Sequence, residues 1–358
     1  MHATALYDCL SALTRTGLAG LLGLICAVPA MATTWTVDST SADPALNACS
    51  AAAGDCSFPG AVSRLAATGD SIVFTVASTL VAEVSLTKDV VIDAAGASLP
   101  KLRISTGLGW TWATVTVRNA RWQNLNATEA AGGALNIARN HIVTIEDSEF
   151  LNNRSFSRGG AIYNDGTLVV SRSRFTGNFA GAGAGAIHST NFGSLTVLDS
   201  TFRANSVIDP QGPNWQLGQY GAISAESTLD IRGCLFVDNE SHFAAAVRGT
   251  ALTRIYNSTF SGNKTHHYTE SGALLLGGPA RIANSTIVGN SGFTSGGLYV
   301  QLASDTQVVN TLIANNTGTS PDISGRVYSH GNNLIRNRTG AQVEGNLAGT
   351  DIYDTDPR

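Results

Sequence analysis

The acids, histidines and exposed-type aromatics of this chain suggest three chemistries, and each asks for a definite constellation. A Ca²⁺-dependent polysaccharide lyase needs a carboxylate cluster for the metal and a nearby Arg or Lys, because the metal acidifies the uronate and the base removes its proton. Once the repeats described below are aligned, the column able to host that cluster reads Asp147, Arg172, Asp199, Gly233, Asn257, Asn284, Asn310. Arg172 separates the two acids and the rest is an Asn ladder, so the column reads as packing. A glycoside hydrolase needs two carboxylates about 5 to 9.5 Å apart. Asp199 with Asp230, and Glu226 with Asp230, are the pairs to test, although 26 acids in 358 residues yield such pairs by chance. His242, His266 and His267, with Glu270, would begin a metal site. Adjacent His266 and His267 point to opposite sides of an extended chain, so solvated or carbohydrate-contacting imidazoles are the better reading. No catalytic residue, metal or cofactor is therefore assigned.

Aromatic side chains offer a third chemistry. Phe156, Phe179, Trp215, Tyr220, Phe243, Tyr268 and Phe293 recur in variable segments. The preferred reading turns Phe156, Phe243 and Phe293 inward as another core ladder. The functional reading is an aromatic strip, widest at the insertion 206–220, whose flat rings stack on sugars or fill a partner's pocket. Trp215 is the foremost candidate contact, with Tyr220, His242, His267 and Tyr268 beside it.

What must position these groups is a repeat. An F/I-x-x-N unit recurs at Phe150-Asn153, Phe175-Asn178, Phe202-Asn205, Phe236-Asn239, Phe260-Asn263, Ile287-Asn290 and Ile313-Asn316, with Trp122 as a degenerate first member. The spacings are 25, 27, 34, 24, 27 and 26 residues. Five residues upstream stands a β-branched residue in every unit, from Ile145 and Val170 to Val308. Two residues upstream stand Ser148, Ser173, Ser200, Cys234, Ser258, Ser285 and Thr311. After each Asn comes a variable stretch and then a Gly-Ala signal, as at Gly160-Ala161 and Gly221-Ala222, replaced by Ala245-Ala246 in one unit. Periods of this size with stacked identical columns predict an all-β, right-handed parallel β-helix with coils of roughly 24 to 34 residues and an N-terminal cap. Coils lie about 4.8 Å apart, so each position sits above its equivalent, and stacked Asn amides bond along the ladder. Leucine-rich repeats and propellers need patterns or periods that do not occur here. Cys234 stands in the serine column and reads as a small buried thiol. The sequons at Asn257 and Asn284 fall in repeat columns and need no glycan to explain them.

Composition agrees with a β solenoid: 13% charged residues, 38 Gly and only 9 Pro. A net charge of −4 leaves no basic stripe for a phosphate backbone, so nucleic acid is excluded as a partner. Residues 1–32 read as a signal peptide, with Arg15 before an apolar stretch at 17–28 and Ala30-Met31-Ala32 as cleavage site. Bulky Ile25 argues against lipidation of Cys26. The mature chain has no stretch of roughly 18 apolar residues, hence no transmembrane helix is expected. Export places the protein outside the cell or on its surface, with the periplasm as the alternative. Cys49 and Cys56, seven positions apart around Gly54-Asp55, are expected to form a disulfide there. Residues 33–110 read as cap and first coils, with strand-like runs at 72–74, 84–86 and 90–92 and a short helix at 59–68. Residues 111–335 form the repeat-bearing helix. Residues 336–358 read as a tail, so that either the loop after Gly345 folds over the open end or sequence is missing.

The F-x-x-N unit paired with Gly159-Gly160-Ala161-Ile162 resembles the repeat of chlamydial polymorphic outer-membrane proteins, a family of autotransported adhesins. The segment Cys56-Ser57-Phe58-Pro59-Gly60-Ala61-Val62, followed by Gly69-Asp70-Ser71-Ile72-Val73-Phe74, resembles the C-S-L-R-E-A-I leader of exported bacterial β-helices. Phe58, Pro59 and Gly60 depart from its Leu, Arg and Glu, whereas G-D-x-I-x-F is kept. Together the resemblances span roughly 49–335. They imply a fold and export to a surface, while the same coil carries lyases, hydrolases and adhesins. The absence of a barrel also sets this chain apart from autotransported members. The expected function is non-enzymatic and adhesin-like, binding polysaccharide or a cell-surface protein through loops on one side. A carbohydrate-active enzyme on the same scaffold is the alternative.

Overall fold

The computed structural model describes residues 31–66, 69–79, 81–105, 112–127, 131–207, 218–266, 271–301, 304–345 and 349–357. They form a right-handed parallel β-helix with one short α-helix. One coil runs Glu149–Leu151, Arg154–Arg158, Ile162–Asn164 and Thr167–Ser171 before the next begins at Arg174–Thr176. Three faces result, here named by their inward residues. On the Phe face Phe150 pairs with Phe175, on the Gly-Ala face Ile162 pairs with Ile187, and on the Val face Val170 pairs with Val197. The strand Ile323–Ser329 joins the last two faces, pairing with Leu298–Val300 at one end and Thr306–Val309 at the other.

Inside, like residues stack. Trp122, Phe150, Phe175, Phe202, Phe236 and Phe260 have successive ring centroids 4.6, 4.5, 4.6, 4.8 and 4.8 Å apart and planes within 13° of parallel. Ile287, Ile313 and Ile335 continue the row in register. Each fully buried ring contributes about 2–3 kcal/mol of transfer free energy, with roughly 0.5–1.5 kcal/mol more per aromatic pair. Beside this row runs a polar one. Asn178 donates its side-chain amide to Asn205 Oδ1 at 2.9 Å and to the Phe150 carbonyl at 3.0 Å, while its own Oδ1 accepts from the backbone and side chain of Asn153, both at 3.0 Å. The pattern repeats through Asn205, Asn239, Asn263, Asn290 and Asn316, all buried, so the row is dry and fully bonded. The serines form a third ladder: Ser148 Oγ accepts from the Ala120 N–H at 3.1 Å, and the Ser148 N–H donates to Ser173 Oγ at 3.1 Å.

The corners explain two sequence columns. Asp147, Arg172, Asp199, Gly233, Asn257, Asn284 and Asn310 all have φ between 46° and 66°, the left-handed region that Asn, Asp and Gly enter most cheaply. That column is a turn between the Val and Phe faces. A second left-handed column precedes the buried Asn row: Asn152, Gly177, Ala204, Asp238, Gly262, Gly289 and Asn315. The variable stretch that follows is, in several coils, a further short strand such as Phe179–Ala184 or Lys264–Thr265, not only a loop. At the Gly-Ala signal the coils come so close that a Cβ on Gly160 would lie 2.1 Å from the Gly185 carbonyl oxygen.

At the N-terminal end, helix α1 (Phe58–Arg64) begins one residue before the expected proline. Ser57 caps it by accepting from the Gly60 N–H at 3.0 Å, and Pro59 fits the first turn, which needs no donor there. Phe58 packs edge-on against Phe74, with centroids 5.1 Å apart. Asp70 of the G-D-x-I-x-F segment accepts from Thr33 N–H at 2.8 Å and Ala66 N–H at 2.7 Å, tying the helix to the first strand. Cys49 and Cys56 form a disulfide. At the other end Ala341–Gly345 pairs with Ile323–Ser329, and Ile352–Tyr353 pairs with Leu334–Ile335, extending the sheets through the expected tail. Among the described residues no helix is long and apolar enough to cross a membrane.

Candidate functional site

The segment after each buried Asn forms one long edge of the solenoid, and its strand alternation decides which aromatics reach solvent. In Arg154–Arg158, Asn153 and Ser155 point in and are fully buried, so Phe156 points out and is 53% exposed. The inward reading of Phe156 and Phe293 is thus corrected: the period-2 pleat turns Phe156 out, and Phe293, in a bend three residues after Asn290, is 50% exposed. Phe243 and Phe179 are half-buried. Arg154 lies between two rings, its guanidinium carbon 5.0 Å from the Phe156 centroid and 4.1 Å from that of Phe179.

The candidate contacts divide. Tyr220 is half-buried on this edge, under the guanidinium of Arg248 at 4.7 Å. His242 is half-buried in the next coil. Trp215, His267 and Tyr268, with Glu270, lie outside the described residues. His266 is exposed and faces Glu240, Nε2 to Oε2 at 3.5 Å. Among the described residues no group of three or more His, Cys, Asp or Glu stands together. The carboxylate pairs are dispersed as well. Asp230 is bidentate to Arg232 at 2.8 and 2.7 Å on the Val face, Glu226 sits at a different corner beside Arg248, and Asp199 lies in the left-handed turn.

Next to the aromatic edge, the outer surface of the Gly-Ala face carries polar residues that the sequence reading passed over. In register along one line stand Tyr163, His188, Ser224 and Arg248; two residues further along each strand stand Asp165, Thr190, Glu226 and Thr250. The His188 ring stacks on Tyr163, centroids 5.9 Å apart. Thr190 Oγ1 donates to Asp165 Oδ1, and Arg248 reaches Ser224 Oγ at 3.3 Å and Glu226 Oε1 at 3.5 Å. Burial, together with the carboxylate of Asp165, raises the Tyr163 phenol above its ordinary range. Burial first, then the guanidinium groups of Arg158 and Arg248, pushes His188 down to about 3, so its imidazole is neutral at physiological pH. Asp165 and Glu226 lie two coils apart, about 10 Å along the stack. Both are held as acceptors by hydroxyl or guanidinium donors. One signal could have exposed this line: polar residues recurring one position after the apolar residue of the Gly-Ala signal, where a buried strand would otherwise be apolar on both faces.

The family model described as "Right handed beta helix region" matches residues 102–260 and 185–356. No curated protein and no solved structure matches the chain.

Proposed function

Since the chain belongs to the right-handed β-helix family, we propose that it is a non-enzymatic, adhesin-like protein that binds glycans through the aromatic edge and the polar line beside it. The observation that carries this reading is the exposed ring of Phe156 set against Arg154 and Phe179, a flat apolar plate with cationic support beside the polar line of the Gly-Ala face. Such plates stack on the apolar faces of sugar rings, while the half-buried carboxylates of Asp165 and Glu226 supply acceptors for hydroxyls. Tyr220 and His242 stand on the same edge, and Trp215, His267 and Tyr268 are the further contacts that the sequence assigns to this reading. The resemblance of the repeat to that of polymorphic outer-membrane proteins, the leader-like segment and the signal-peptide reading of residues 1–32 support export to the cell surface, as does the Cys49–Cys56 disulfide.

The test is binding of the secreted chain to arrays of bacterial and plant polysaccharides, with and without Ca²⁺, alongside assays for unsaturated and reducing-end products. Binding that survives chelation, yields no product and drops on Phe156→Ala or Trp215→Ala is the expected result. Product release would instead favour a carbohydrate-active enzyme, with Asp165 and Glu226 as the carboxylates to substitute first. N-terminal sequencing of the secreted chain should give Thr33 as its first residue.

A further inference from the structure

The outer surface of the Phe face changes character along the solenoid. Consider the seven positions from the last residues of the Val face, through the left-handed turn, to the end of the Phe face. In the coils at 118–124, 146–152, 171–177, 198–204 and 232–238 they include two or more charged residues each. In the next three coils, at 256–262, 283–289 and 309–315, they include none. The outward residues here are Thr259, Thr286 and Leu312 in one register line, preceded by Leu235 and followed by Leu334 and Ile352. Val237, Ser261 and Val288 form the line beside it. Leu235 and Ile352 are 38% and 50% exposed. The bounding charges are matched within the chain, Arg203 with Asp238 and Arg336 with Asp356, both at 3.6 Å. A flat uncharged stretch of sheet on an otherwise ion-paired face marks a surface that is covered by something equally uncharged.

Its relief says what covers it. A shallow groove of about 380 Å³ runs beside Leu312, lined by Asn284, Thr286, Asn310, Asn332 and Leu334 among others. Leu235 stands out from the surface three strands away on the same line. We infer that this surface docks a second copy of this chain, antiparallel, about a two-fold axis that runs along the strands between Thr259 and Thr286. Such an axis carries Leu235 of each copy onto Leu312 of the other, so each knob enters the other's groove, as an isologous contact requires. A parallel pair would set Leu235 against Leu235 and leave both grooves empty. Strand spacings of about 4.8 Å from Leu235 to Ile352, and seven residues of about 3.3 Å across, give roughly 24 by 20 Å, or about 1,000 Å² over the two copies. That is the lower limit for a specific interface, so the dimer is reversible, with a dissociation constant on the order of 10–100 µM. The inference goes beyond the glycan reading and does not depend on it.

Sedimentation equilibrium of the full chain between about 1 µM and about 1 mM tests it, with a monomer–dimer equilibrium as the expected result. Leu235→Arg sets an unpaired charge in the groove, and Thr286→Lys sets like charges close together across the axis. Each should weaken the dimer at least roughly tenfold while leaving the unfolding midpoint in place, since both positions face outward. Thr144→Lys, on the outer surface of the Val face, should leave association unchanged. Cross-linking reads the arrangement: on oxidation, Leu235→Cys chains mixed with Leu312→Cys chains should join covalently, and Leu235→Cys chains alone should not. A mass that stays monomeric across the range, or a dimer indifferent to both Leu235→Arg and Thr286→Lys, would overturn the docking face. Joining of Leu235→Cys chains to one another would overturn the antiparallel arrangement.

Discussion

Asn316 donates its side-chain amide to Asp322 Oδ1 at 2.8 Å and its backbone N–H to the same oxygen at 3.3 Å, so the buried asparagine row ends on a carboxylate. Asp322 Oδ2 accepts from the Asn337 N–H at 2.8 Å, linking the row to the last coils. A single acid thus closes the buried asparagine row, although burial raises its pKa despite these donors.

A pH dependence follows from that closure. A carboxyl whose folded pKa is raised above 3.8 binds its proton more tightly folded than unfolded. Its contribution is therefore fully present below the unfolded value and is lost as pH rises through the folded one. Asp322→Asn keeps an oxygen for Asn316 but sets an NH2 group against the Asn337 N–H, a cost that does not vary with pH, so its stability relative to the natural chain should rise between pH 3.5 and pH 7. Denaturant midpoints at the two pH values check this, and a difference that does not shift toward the variant with pH would sink it.

Asn205→Ala removes an acceptor used by both the backbone and the side chain of Asn178, and a donor used by Phe175 and Asn239. Stranding buried groups costs about 1–3 kcal/mol each, so a loss of roughly 3–5 kcal/mol is expected, far above the effect of an exposed substitution on the same coil. Equilibrium unfolding of Asn205→Ala beside Arg203→Ala measures the contrast.

Ala204 holds φ 52° in a column otherwise made of Asn, Gly and Asp. An L-residue without a compensating side chain costs about 1–2 kcal/mol there, partly offset in glycine by unfolded-chain entropy. Ala204→Gly should stabilise the chain by roughly 1 kcal/mol, and Ala204→Asn should do likewise. An unchanged or lower midpoint in both variants would show that the turn carries no such strain.

Cys234 occupies a place where six other coils have a hydroxyl, from Ser148 to Thr311, and burial pushes its thiol up to about 11. It should resist iodoacetamide at pH 8 until the chain is unfolded. Its Sγ lies 3.2 Å from the Arg232 carbonyl, while Ser173 Oγ makes the equivalent contact at 2.8 Å. Cys234→Ser is accordingly expected to be neutral or stabilising by about 0.5–1 kcal/mol, measured by the same unfolding midpoint.

Much of this protein was legible in its sequence because a solenoid writes its tertiary contacts as one-dimensional columns. Parallel strands at a fixed spacing place Phe150 on Phe175 and Asn153 on Asn178, so the period alone determined the fold and the stacked rows. Three things depended on the folded chain. The column containing Asp147 and Arg172 carries Asn and Asp for its left-handed backbone, and composition does not separate that cause from amide stacking. Phe156 faces outward because of the pleat phase set by the buried Asn153 three residues earlier, and Phe293 because the chain bends there, neither of which a variable-looking segment reveals. His188 belongs to no column of histidines, and that it stacks on Tyr163 and is closed over by Gly183 follows only from the stacking of the coils. Repetition determines what each coil shares with the next, whereas a binding site is built where the coils differ, and those differences acquire meaning only when the coils are stacked.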